Sequence, residues 1–128
     1  MSLFDSSAII NLCNREKASK LFNEWTLDLT IYELGNATWK LTRIRKIKPE
    51  EAFTVLEALT GIYGKMRKTK IKNHEKTLKI ALKENLTFYD AAYISVAIEN
   101  NLTLITDDEK LYKAARKYTK VLRSHEVK

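Results

Sequence analysis

Residues 88–108 read Phe-Tyr-Asp-Ala-Ala-Tyr-Ile-Ser-Val-Ala-Ile-Glu-Asn-Asn-Leu-Thr-Leu-Ile-Thr-Asp-Asp, and this stretch decides the fold. Residues 88–100 are apolar at helical spacing on nearly every side, so they predict a helix buried in the centre of the molecule. Residues 102–106 are a short apolar run, which reads as a core strand. A buried helix leading into a buried strand belongs to a parallel sheet covered by helices.

The rest of the chain repeats this alternation. Residues 2–4 are too few for a helix and read as an opening strand. Ser6 and Ser7 can cap a short helix through Leu12. Residues 15–25 place Ala18, Leu21, Phe22 and Trp25 on one helical face. Leu27 to Leu29 read as a strand, after which Thr30 caps a helix through Leu41. Pro49 suits the first turn of the next helix, which carries Ala52, Phe53, Leu56, Leu59 and Tyr63 and is weakened at its end by Gly61 and Gly64. Lys70-Ile71 reads as an edge strand, 74–84 as a helix capped by Asn73, 109–118 as a helix and 120–123 as a last strand. The expected fold is α/β: three layers, α/β/α, with a central, mainly parallel sheet. Three glycines and one proline leave no linker, so residues 1–128 read as a single domain.

No apolar run approaches the roughly 20 residues of a membrane span. No basic stretch precedes an apolar one at the N-terminus, so no signal peptide is expected. The lone Cys13 cannot form an internal disulfide, which fits a reducing, cytoplasmic setting, and it reads as a small buried side chain. The net charge of +7 favours polyanionic partners such as RNA.

Against this basic background stand four separated acids. Asp5 ends the apolar run from Met1 to Phe4, and Asp108 follows the run from Leu102 to Thr106. Glu33 and Asp90 lie in otherwise apolar helical segments. A carboxylate facing a core is costly unless it is paired or holds a metal. In an open parallel sheet the crevice lies beyond the carboxyl ends of the strands, where all four can meet. Carboxylates packed together favour a hard cation, Mg2+ or Mn2+, and two histidines remote from the acids disfavour zinc. Ser7, Asn11 and Thr106 stand close enough in sequence to orient carboxylates or water. Asp107 reads either as a supporting acid or as a solvated turn residue. Plainer roles also exist: Asp5, Asp90 and Asp108 as helix caps, and Glu33 as an ion-pair partner of Lys40 or Arg43.

With those acids in place, the chain resembles the PIN-domain family of ribonucleases, and in particular the VapC-type toxins of toxin–antitoxin pairs. The resemblance is carried by Leu3-Phe4-Asp5-Ser6-Ser7, by Leu29 to Leu34 around Glu33, by Asp90 with the alanine-rich helix after it, and by Leu104-Ile105-Thr106-Asp107-Asp108. It covers Leu3 to about Arg123. It implies a metal-dependent endoribonuclease with Asp5, Glu33, Asp90 and Asp108 as catalytic and metal-binding residues, a small antitoxin as partner and a homodimer as assembly. Lys40, Arg43, Arg45, Lys46, Arg67, Lys68 and Lys70 are the candidate RNA contacts. Two other readings compete. A non-catalytic PIN-like scaffold usually lacks one or more of the acids. A magnesium-binding receiver domain needs its acid pair after the first strand and an aspartate after the middle one, whereas no aspartate lies between positions 28 and 90.

Overall fold

The computed structural model describes residues 1–128 as a five-stranded sheet between two layers of helices. In chain order the elements are β1 (Ser2–Phe4), α1 (Ser6–Asn14), β2 (Trp25–Leu27), α2 (Thr30–Arg43), α3 (Pro49–Gly64), β3 (Arg67–Thr69), α4 (His74–Glu84), α5 (Phe88–Asn100), β4 (Thr103–Ile105), α6 (Glu109–Ala115) and β5 (Val121–Leu122). The sheet order is β3-β2-β1-β4-β5 and every pairing is parallel. The expected sheet is therefore parallel throughout. No helix is long and apolar enough to cross a membrane.

The layers follow from the two-residue period of the strands. Leu3 and Leu104 point to one face and pack with α4, α5 and α6 through Ile80, Tyr93, Ile94 and Leu111. Phe4 and Ile105 point to the other and pack with α1, α2 and α3 through Ile9, Leu12, Leu34 and Leu59. β1 is in register with β4, Leu3 opposite Leu104 and Phe4 opposite Ile105. The chain builds outward from β1 to β3 on one side and then returns to place β4 on the other. The strand order thus reverses between β1 and β4, and a crevice opens at their carboxyl ends.

Helix ends are set by short polar side chains. Asn73 and Thr87 accept from Lys76 N and Asp90 N at the starts of α4 and α5. Asn85 and Asn101 close the same two helices in the left-handed conformation.

Several local expectations fail for identifiable reasons. Residues 15–25 form no α-helix, only a single 3-10 turn over Ala18–Leu21. Glu16 and Asn23 take positive φ on either side of it, and Trp25 enters the sheet opposite Leu3 and Arg67. The second and edge strands accordingly begin earlier than expected, at Trp25 and Arg67. Asp5 caps α1 in place of Ser6 or Ser7, and Thr30 lies inside α2, its hydroxyl bonded to Thr26 and Leu27. In α3 the buried stripe runs through Val55, Leu59 and Ile62, leaving Phe53 76% exposed, and the helix continues through Gly61 to Gly64. The last full helix stops at Ala115, where the backbone tightens, Lys117 N and Tyr118 N bonding three residues back to the Ala114 and Ala115 carbonyls; beyond it the Tyr118 hydroxyl donates to Glu84 (2.6 Å).

Candidate active site

At the carboxyl ends of β1 and β4 lies a cavity of about 790 Å3. All four acids line it: Asp5 and Asp108 from strand ends, Glu33 from the first turn of α2, and Asp90 from the first turn of α5. Ser7, Tyr32, Asn36, Lys40, Tyr89 and Tyr93 are among the remaining walls. The local reason is the same for each acid. It stands where a chain segment leaves the sheet or enters a helix, at the end of the sheet where the cavity opens.

Asp5 is the most deeply set, 4% exposed. One carboxylate oxygen accepts from Ser7 Oγ (2.7 Å) and Ala8 N (2.9 Å), and the other from the Thr106 hydroxyl. Burial pushes its pKa up to about 7 despite these donors, and the charge of Glu33 adds to the rise. Burial also raises Glu33, with Asp90's charge contributing, while the Tyr93 hydroxyl, donating at 2.5 Å, opposes the rise. Asp90 is raised by burial and then by the charge of Asp108. Charge repulsion therefore runs inward through the group: Asp108 disfavours ionisation of Asp90, Asp90 that of Glu33, and Glu33 that of Asp5.

Tyr93 holds this arrangement from below. Its ring is buried in the core of α5, and burial raises its own pKa well above the phenolic value, so the hydroxyl stays a donor. The same oxygen meets Thr30 Oγ1 at 2.7 Å, and Thr30 is bonded in turn to Thr26, whose hydroxyl donates to the Phe4 carbonyl. A buried polar line thus joins Glu33 to the strand that ends in Asp5.

The supporting candidates divide. Ser7 and Thr106 both hold Asp5, and Thr106 Oγ1 also accepts from Asp108 N at 3.1 Å. Asn11 and Asp107 face away from the cavity and bond to each other (2.7 Å). Asp107 also accepts from Ser124 N (2.9 Å) and Ser124 Oγ (2.5 Å). It is neither a cavity acid nor a solvated turn residue; it fastens the C-terminal segment to α1. Burial pushes its carboxyl up, but the Ser124 and Asn11 hydrogen bonds outweigh that and hold it below the usual range.

Glu33 forms no ion pair with Lys40 or Arg43; Tyr93 is its partner. Asp90 does not cap α5, a role that falls to Thr87, whereas Asp108 caps α6 by accepting from Leu111 N (2.8 Å). Of the basic candidates, Lys40 stands in the cavity wall. Arg43, Arg45 and Lys46 are exposed where α2 ends, beyond Lys40 along the same helix. The 67–70 group is split by strand direction. Arg67 begins β3, at the sheet edge opposite the acids, and lies over the Trp25 ring (5.7 Å). Lys68 donates to the Tyr63 and Met66 carbonyls at 3.0 and 2.7 Å and so ties down the end of α3. Lys70 lies beyond the end of β3, on the same side of the sheet as the acids.

Tyr32, Asn36, Tyr89 and Tyr93 are walls that reasoning about acids alone overlooks. Their signal is helical spacing: Asn36 and Tyr93 lie three residues beyond Glu33 and Asp90, and so on the same faces.

The cavity offers oxygen donors only, with no histidine or cysteine in its walls. No three acids are drawn together tightly enough to make a ready ligand shell. Carboxylate oxygens of this kind are the ligands that hard cations such as Mg2+ take.

The PIN domain family model matches residues 2–117. Two relatives come from Pyrobaculum aerophilum. Exonuclease VapC9 is 35% identical over 85 residues, 66% of this chain and 62% of its own length. Ribonuclease VapC3 is 36% identical over 90 residues, 67% of this chain and 66% of its own. The matched segments thus span under two thirds of either curated relative. The crystal structure of PAE2754 from the same organism superposes with a TM-score of 0.78 at 28% identity, covering 97% of this chain and 89% of that one. Sheet order, cavity and family match agree: this chain belongs to the PIN domain family.

Proposed function

We propose that this chain hydrolyses RNA phosphodiester bonds at the acid quartet with the help of Mg2+ or Mn2+, as the toxin of a toxin–antitoxin pair. The observation that carries the reading is the convergence of Asp5, Glu33, Asp90 and Asp108 on one cavity, where burial and neighbouring charge raise Asp5, Glu33 and Asp90, in a chain of net charge +7. A bound divalent cation would relieve that repulsion, polarise the phosphoryl group and make a water acidic enough to attack it. The chain's own side chains do the positioning. Ser7, Thr106 and Ala8 N fix Asp5, Tyr93 fixes Glu33, and Lys40 in the wall attracts the phosphate backbone. The names of the relatives, a ribonuclease and an exonuclease, support the same chemistry. The toxin role, the antitoxin partner and the homodimer rest on the resemblance to VapC-type proteins, and the single-domain organisation of residues 1–128 on a sequence without a linker.

The test is cleavage of a mixed RNA pool with Mg2+ or Mn2+, with chelator, and with Asp5→Asn. We expect cleavage that needs the cation and falls by more than about 100-fold in the variant. Cleavage that persists in chelator, or full activity of Asp5→Asn, overturns the mechanism. No cleavage at all under any cation favours the scaffold reading.

A further inference from the structure

Beside the acid cavity runs a second groove of about 240 Å3, between the end of β2, the segment after β3 and the first turn of α5. Its walls are Leu27, Leu29, Ile71, Phe88, Tyr89 and Ala92. Leu29 and Tyr89 also line the acid cavity, so the two spaces share a wall. Tyr89 is 61% exposed and Phe88 40%. Two such aromatics stand uncovered on the first turn of one helix, whose backbone is capped by the Thr87 hydroxyl through Asp90 N. Tyr89 immediately precedes Asp90 in the chain. Because Tyr89 lines both spaces, a group stacked on it lies at the edge of the acid cavity.

The occupant must be flat and apolar on its faces, attached to something anionic, and next to a phosphate in the acid cavity. Lys70 at the rim forms no ion pair and supplies the positive charge for a flanking phosphate. Asp28, also at the rim, is an acceptor for the N–H groups that every base carries on its edge. We infer that this groove seats one nucleobase of the RNA strand beside the cleaved phosphodiester, stacked on Tyr89. The inference rests on the reading of the acid cavity as an RNA-cleaving site. It adds a place where the strand is read as an unstacked base, and it implies a single-stranded or looped substrate, because a paired base cannot enter the groove.

The test uses the full chain and the four ribonucleosides, which carry a base but no phosphate, so neither cation nor cleavage enters. Methyl resonances of Leu27, Leu29, Ile71 and Ala92 are followed by NMR during titration. We expect shifts clustered on these methyls for at least one nucleoside, an affinity about ten-fold weaker in Tyr89→Ala, and recovery in Tyr89→Phe. Shifts absent from these methyls, or unaltered by Tyr89→Ala, overturn the inference. RNA cleavage with Mn2+ is run in parallel. Nucleoside binding in the groove with no cleavage overturns the nuclease reading and leaves the base seat standing. Cleavage whose KM and kcat ignore Tyr89→Ala does the reverse.

Discussion

The Tyr93 hydroxyl is a single atom with two neighbours, the carboxylate of Glu33 and the hydroxyl of Thr30. Tyr93→Phe keeps the ring and so keeps the core volume, while removing the group that fixes Glu33. Loss of such an orienting partner typically weakens a metal site by about 10–100-fold. We expect Mn2+ affinity, read by calorimetry, to fall in that range, and kcat on RNA to fall while KM holds. Unchanged Mn2+ affinity would show that Glu33 needs no such restraint. Asp5 yields a second expectation, in pH. Its pKa rises from 3.8 to about 7 on burial. Below about pH 4 both folded and unfolded chains hold the proton, so the group contributes no difference. Between about 4 and 7 the unfolded chain releases it and the folded chain does not, so folding becomes less favourable as pH rises. The loss totals on the order of 4 kcal/mol and levels off above about pH 7. Urea unfolding in chelator should show stability falling from pH 5 to pH 8 in the parent and much less in Asp5→Asn, with Mn2+ restoring the parent at pH 8.

At the scale of elements, the ends of strands and helices carry the chemistry, and their interiors carry the packing. Asp107 shows how one position serves structure while its neighbour Asp108 faces the cavity. Asp107→Ala removes the acceptor shared by Asn11 and Ser124, and should cost about 1–3 kcal/mol in urea unfolding. Residues 124–128 should then become protease-sensitive, with Mn2+ affinity unchanged; a fall in that affinity would place Asp107 in the site. These roles also mark the limit of what a sequence discloses. The sheet and the placing of Asp5 and Asp108 were legible because an acid ending an apolar run has few stable places to go, whereas Glu33 and Asp90, inside helical segments, rested more on the resemblance. The break at residues 15–25 was not, because Ala18, Leu21, Phe22 and Trp25 fit a helical face as well as a turn followed by a strand. Two positive φ angles, at Glu16 and Asn23, decide between them. The Tyr93 line was hidden for a different reason: an aromatic in an apolar helix reads as packing, and its hydroxyl acquires meaning only once α2 is laid against α5. The cluster around Arg67 and Lys68 looked continuous, but three residues of strand carry its members to opposite ends of the sheet.

For the molecule as a whole, charge is distributed by distance from the acids. Lys40 stands in the wall, and Arg43, Arg45 and Lys46 extend outward from it at the end of α2. Replacing the outer three with glutamine should weaken RNA binding and flatten the plot of log affinity against log salt by up to about 2, as expected for three lost contacts to a single strand. An unchanged slope would move the RNA path elsewhere. The sheet order has one more consequence, in time rather than space. β1 lies between β2 and β4, and Leu3 must wait for Leu104 before its second neighbour exists. At about 5–20 residues per second of synthesis, that wait is roughly 5–20 seconds. Asp5 is made about a hundred residues before Asp108. A nascent chain that has not yet reached Asp108 therefore holds an unfinished quartet, and the stretch of message from Asp5 to Asp108 has been read before the chain can assemble the group that would cut RNA.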